Sequence, residues 1–187
     1  LYGRRAALIA LVLLAFSPTV IAHSRFVTTD VPALFGVVLS YYFFIKYLKN
    51  PTRKNFFIAG LAFGVAQLTK YSLFLLNPVF LVIAALYGFV NSSRNNLKSR
   101  LRLSFTYLIP TFFIIIIGYI LVVWPYYLTH VINYPPDLQR EHADKILESF
   151  GRRELADPVI YLSDKPVIRG LAQYGLGFLM VVQRSQG

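Results

Sequence analysis

The chain has no cysteine, which excludes disulfides, thiolate metal centres and cysteine nucleophiles. It is short of charge as well: Asp, Glu, Lys and Arg make up 14% of it, against about 25% in a soluble domain. Carboxylates are the scarcest of these, with Asp30 the one acidic residue before Asp137. No phosphate-cradling glycine motif, zincin helix or nucleophile elbow occurs, so none of those chemistries has its residues here.

What is there is apolar. Aliphatic and aromatic residues make up 56% of the 187, above the roughly 45–50% of a soluble domain, and the mean hydropathy is positive. This is the composition of an integral membrane protein, and its useful count is of spans. The net charge of +11 suggests nucleic acid, but the basic residues stand in short clusters between apolar runs, as topology signals do, and the interleaved aromatics suit membrane belts. No nucleic-acid partner is expected. The chain opens at Leu1 and closes at Gly187 just past an apolar stretch, and is read as a fragment.

Five spans are expected, in a transmembrane region over residues 1–127: 6–22, 31–48, 56–70, 73–90 and 103–127. The first follows Arg4-Arg5 and, with Val20-x-Ala22, also fits a signal peptide. The second starts at Asp30-Val31-Pro32, a good helix opening with aspartate at the cap and proline in the first turn, and ends in Tyr41 to Phe44 and then Lys46, Lys49, Arg53 and Lys54. Phe56 to Val90 read as one helix would be about 52 Å long, against a hydrocarbon core of about 30 Å. A break at Lys70 divides it and places Arg94, Lys98, Arg100 and Arg102 on the same side as the earlier basic clusters, as the positive-inside rule requires. The piece before the break would span about 21 Å, so Lys70 either lies in a cavity below the surface or snorkels to the headgroups. Gly60 and Gly64 carry the small-xxx-small spacing of close helix packing. The last span ends in Trp124-Pro125-Tyr126-Tyr127.

Residues 128–170 are expected to form an extracytoplasmic loop with an amphipathic helix, since seven of the eight carboxylates fall between Asp137 and Asp164 and Leu138, Ile146, Leu147 and Phe150 recur among charges. Residues 171–187 begin a further apolar segment. His130 and His142 are read as solvated loop residues and not as metal ligands. His23, Arg25, Asp30 and Lys70 remain, gathered by this topology on one side of the membrane. A short polar turn between spans accounts for them; so does a cavity in which cations bind a phosphate and a carboxylate receives a hydroxyl or holds a divalent ion.

Ala22-His23-Ser24-Arg25-Phe26-Val27-Thr28-Thr29-Asp30-Val31-Pro32, then Gly60-Leu61-Ala62-Phe63-Gly64-x-x-x-Leu68-Thr69-Lys70-Tyr71-Ser72, then Gln173-Tyr174 and Gln183-Arg184 resemble the protein O-mannosyltransferase-like glycosyltransferases of family 39 and their relatives that move aminoarabinose. The resemblance covers nearly the whole chain. It implies an all-α, polytopic GT-C fold in the plasma membrane, with its active site on the extracytoplasmic face. The implied donor is a polyprenyl-phosphate-linked sugar, and the acceptor a hydroxyl of a protein or lipid. It places the general base in a loop upstream of Leu1. It also implies that Asp30 orients the acceptor or binds a divalent metal, and that Arg25 and Lys70 hold the carrier phosphate, with His23 a further substrate contact. No cofactor is required beyond that possible metal. A transporter or flippase for a lipid-linked or anionic substrate is the alternative and predicts mid-membrane charges in repeat-related broken helices. A noncatalytic membrane subunit would tolerate loss of Asp30, Arg25 or Lys70.

Overall fold

The computed structural model describes residues 3–25, 29–92 and 96–184, with the backbone alone for His23 and Arg25. Arg94, in the third basic cluster, lies outside the described residues. Regular structure among them is helical throughout, with no strand. The helices are α1 (Gly3–Ala15), α2 (Pro18–Arg25), α3 (Asp30–Lys49), α4 (Arg53–Thr69), α5 (Leu76–Val90), α6 (Leu97–Gly118), α7 (Trp124–Val131), α8 (Pro136–Ile146), α9 (Arg153–Leu162) and α10 (Arg169–Arg184).

Among the described residues three stretches are long and apolar enough to cross a membrane: Asp30–Lys49, Tyr71–Val90 and Leu97–Val131. The expected span over 6–22 is two helices, because Pro18 cannot donate an N–H and pushes the residue before it out of helical geometry; α1 has 13 residues and none is buried. Helix α4 has 17 residues, under the usual length for a span. It packs against α3 and α6 with Ala59, Gly60, Ala62, Phe63, Gly64 and Ala66 buried, while Phe57, Leu61 and Val65 are exposed on its other face. Gly60 and Gly64 are where backbones meet: a Cβ on Gly64 would lie 2.6 Å from the Gly118 carbonyl oxygen, and one on Gly60 2.7 Å from Ile117.

The direction of each helix follows from such contacts. Gly60 meets Ile117 and Gly64 meets Gly118, so α4 and α6 run parallel, whereas Gly88 abuts Ser104 and Gly36 abuts Ala66, so α5 runs against α6 and α3 against α4. The chain therefore folds back at Lys70. The basic residues of the α3–α4 turn and of the start of α6 share one end of the bundle, and Asp30 and Lys70 share the other. Between them Phe44 and Phe80 stack with centroids 4.1 Å apart, and Phe63 packs on Phe80 at 5.5 Å.

The helical stretch at the expected fifth span, 103–127, continues on both sides of it, over Leu97–Val131. Pro125 has no N–H for the carbonyl four residues back, and Tyr119–Val123 widens into a π turn in which Trp124 N–H reaches Tyr119 O; this wider turn lets the helix pass a proline without ending. Beyond it, α7 to α10 make a second packed unit around Ala143, Leu147, Phe150, Ala156, Ile160, Leu176 and Leu179. The amphipathic segment is thus two helices, α8 and α9. Residues 171–184 are covered by the 16-residue α10, which packs on α7 and α9. Arg169, 6% exposed, holds this unit to the end of α7 by donating to the carbonyls of Val131, Ile132 and Tyr134.

Candidate active site

Helix α4 stops where its sequence turns from small and apolar to polar. Lys70 is extended, and Tyr71–Leu75 form a tight 3-10 turn leading into α5. Two side chains supply what this break removes. Gln67, 1% exposed, donates from Nε2 to the Leu73 carbonyl at 2.9 Å. Pro78 has no N–H for Phe74 O, and the Asn77 amide donates to that oxygen instead at 2.7 Å. The break is thus built by polar groups inside an apolar bundle, where an unpaired backbone carbonyl is costly.

The break places Lys70 against Asp30. Its Nζ lies 2.6 Å from Asp30 Oδ1 across 40 residues of sequence. Asp30 is the first residue of α3 and Thr29 occupies the cap position, one residue earlier than expected; the Asp30 carboxylate meets the lysine. The side chains are 39% and 45% exposed, so the pair is open to exchange with an incoming ligand.

Beside it lies a cavity of about 270 Å³ with Thr29, Lys70, Tyr71, Ser72, Tyr127 and Val181 in its wall. Apart from the Lys70 ammonium, the wall carries hydroxyls, the Gln67 amide and apolar surface. Tyr127 donates its hydroxyl to that of Tyr71 at 2.8 Å. Behind this pair Tyr174 of α10 donates to Gln67 Oε1 at 3.0 Å, and its ring lies 5.5 to 5.7 Å from those of Tyr71, Tyr119 and Tyr127. Asn77 donates to the Tyr119 hydroxyl at 3.0 Å. These tyrosines tie α10 to the break that carries Lys70.

Of the residues expected in the site, Asp30 and Lys70 are brought together. The backbone of His23 and Arg25 forms the end of α2, one short segment before Asp30; their side chains lie outside the described residues. A divalent metal at Asp30 is poorly suited by the donors present: its Oδ1 faces an ammonium, the cavity wall offers no second carboxylate, and among the described residues no three His, Asp or Glu side chains converge. The sequence reading assigned no role to Gln67, Tyr71, Tyr127 or Tyr174. Gln67 carries a usable signal, an amide in an apolar run, whereas Tyr127 reads as one more belt aromatic.

The Lys70–Asp30 ion pair thus lies at one end of the membrane bundle, beside a cavity with partly apolar walls. The family model for dolichyl-phosphate-mannose-protein mannosyltransferase matches residues 1–124. The chain belongs to this family. It is an integral membrane glycosyltransferase of the GT-C type. No curated protein and no solved structure matches it. The family match takes in Asp30, Lys70 and the bundle through the π turn, and it ends at Trp124. The remaining wall of the mannosyltransferase-family cavity, Tyr127 and Val181, and the unit formed by α8 to α10 lie beyond it.

Proposed function

We propose that the protein transfers a sugar from a polyprenyl-phosphate carrier to an acceptor hydroxyl, with Lys70 and Arg25 binding the carrier phosphate, Asp30 orienting the acceptor, and His23 contributing a further substrate contact. The observation that carries this is the Lys70–Asp30 pair beside the cavity. A partly exposed ion pair is held by about 0.2–1 kcal/mol, so a carrier phosphate, with more charge and more acceptor oxygens than one carboxylate, draws the ammonium away at low cost. The Asp30 oxygen that faced the ammonium then accepts from the hydroxyl of the incoming acceptor. Donor binding prepares the acceptor subsite.

In the transfer, the bond between the sugar's anomeric carbon and the phosphate oxygen breaks, a bond from that carbon to the acceptor oxygen forms, and the hydroxyl proton passes to a base. The departing phosphate gains negative charge as its bond breaks. A fixed ammonium in a poorly hydrated cavity stabilises that charge more strongly than it stabilises the bound donor. The apolar cavity wall of Tyr71, Tyr127 and Val181 suits the first part of a polyprenyl chain. Placement of this end on the extracytoplasmic face of the membrane is supported by the basic residues at the opposite end of the bundle.

The test is transfer of a labelled sugar from polyprenyl phosphate by the full-length protein in lipid bilayers. Lys70→Ala is expected to abolish it while the protein remains folded. Undiminished transfer by that variant would refute the assignment.

A further inference from the structure

A second hollow, of about 270 Å³, opens between the end of α7, the turn after it, α8 and α10. His130, Tyr134, Gln139, His142, Gln173 and Leu176 form most of its wall. Its lining contains no carboxylate, ammonium or guanidinium, unlike the Lys70 cavity. What it contains is unspent hydrogen-bonding capacity. His130 Nδ1 lies 2.8 Å from the Tyr126 carbonyl; a carbonyl can only accept, so Nδ1 carries the proton and Nε2 of the neutral ring offers a lone pair. His142 engages the Tyr134 hydroxyl through Nδ1 at 2.6 Å, which leaves Nε2 for another partner. Gln139 Nε2 donates to Arg169 O and to Gln173 Oε1, both at 3.3 Å, so the Gln173 amide keeps its two N–H groups. Gln139 is 3% exposed and its Oε1 has no donor. A buried acceptor without a partner is costly and calls for an explanation.

We propose that this hollow is a subsite for a sugar ring of the acceptor, a neutral ligand rich in hydroxyls, and this inference rests on the glycosyltransferase reading above. Amides and neutral imidazoles match hydroxyls, which donate and accept at once, whereas an ionic ligand would find no opposite charge. Leu176, Ile146 and the Tyr134 ring provide surface for the C–H face of a pyranose. At about 30 Å³ per water the space equals about nine waters, enough for one such ring. A metal is disfavoured because both Nδ1 atoms are engaged and no third ligand of the described residues converges.

Position gives the hollow its role. The ring of Tyr127, in the wall of the Lys70 cavity, lies 6.4 Å from the ring of His130, in the wall of this one. A sugar seated here is one side chain from the cavity beside the Lys70–Asp30 pair. Binding energy collected at a remote ring positions the reacting group.

The experiment uses the full-length protein in lipid nanodiscs and saturation-transfer NMR with methyl hexopyranosides and methyl pentopyranosides, and acetyl-threonine amide as the peptide-like control. Wild type and Lys70→Ala are expected to saturate a glycoside. His142→Phe and Gln173→Leu are each expected to weaken that binding about tenfold, the equivalent of one neutral hydrogen bond, with melting temperature and far-UV dichroism confirming the fold and Tyr134→Phe as a second, less intrusive variant. With a glycan-bearing acceptor the same variants raise the acceptor KM and leave kcat in place. No glycoside saturation in wild type, saturation unchanged by all three substitutions, saturation lost in Lys70→Ala, or preference for acetyl-threonine amide would each overturn the proposal. If instead Lys70→Ala transfers sugar normally while glycoside binding depends on His142 and Gln173, the donor-site reading fails and the subsite stands.

Discussion

The Lys70–Asp30 pair allows function and stability to be separated by one set of variants. With 39% and 45% of the two side chains exposed, the pair contributes about 0.2–1 kcal/mol to folding. For a bundle of this size that corresponds to a melting shift of at most about 4 °C. Loss of a fixed cation from a developing phosphate charge costs about 10²- to 10³-fold in turnover. Asp30→Asn and Lys70→Ala are therefore expected to melt within about 4 °C of the wild type and to lose sugar transfer. The decisive variant is the exchange, Asp30→Lys combined with Lys70→Asp. It restores the attraction between the two positions, so a pair with a purely structural purpose would regain activity with it. If the lysine serves the phosphate and the aspartate the acceptor, the exchanged protein folds and stays inactive. Sugar transfer and thermal unfolding, both in nanodiscs, supply the readings. Recovery of transfer by the exchange, or a melting loss large enough to account for the inactivity of the single variants, would refute the reasoning.

Three further outcomes are expected. Gly64→Ala puts a methyl group 2.6 Å from the Gly118 carbonyl, where backbone must move, and is expected to cost about 1–3 kcal/mol; Gly60→Ala meets chiefly the Ile117 side chain and costs less, an order that unfolding in mixed micelles checks. Gln67→Leu leaves the Leu73 carbonyl and the Tyr174 hydroxyl without their partner, at about 1–3 kcal/mol, and is expected to loosen the break so that amides of residues 70–75 exchange faster while those of α6 do not. Asp164 is held below the ordinary carboxylate range chiefly by Lys165; desolvation, the next largest effect, opposes this, and Arg140 adds to the lowering. Because its folded value is depressed, the stabilisation is complete above the unfolded value of about 4 and disappears as pH falls through the folded one. Protease resistance of residues 136–164 is expected to fall in that acid range, and Asp164→Asn to remove that part of the dependence.

Much of the fold can be read from apolar run lengths and charge clusters, because a bilayer allows few solutions: backbone groups in hydrocarbon must bond within their own helix. The fold-back at Lys70 is legible for this reason, since a continuous rod over 56–90 would be too long and would carry the next basic cluster to the other end. The division of 6–22 at Pro18 was legible in principle, as proline has a known cost in a helix interior. That one face of α4 packs backbone to backbone against α6, while Phe57, Leu61 and Val65 stay exposed on the other, was not legible. Its small residues acquire meaning once Gly118 and Ile117 are known to lie against them.

The sequence by itself determined that this is a membrane protein of helices, where its chain turns, and that Asp30 and Lys70 belong to the same end, because hydrophobic length and charge asymmetry are local properties summed along a chain. Tertiary structure alone decided the contact between those two residues, the bracing of the break by Gln67 and Tyr174, and the meeting of His130, His142, Gln139 and Gln173 around one hollow. Such convergence depends on the approach of α7, α8 and α10 through packing of side chains distant in sequence. No periodicity or spacing encodes that distance.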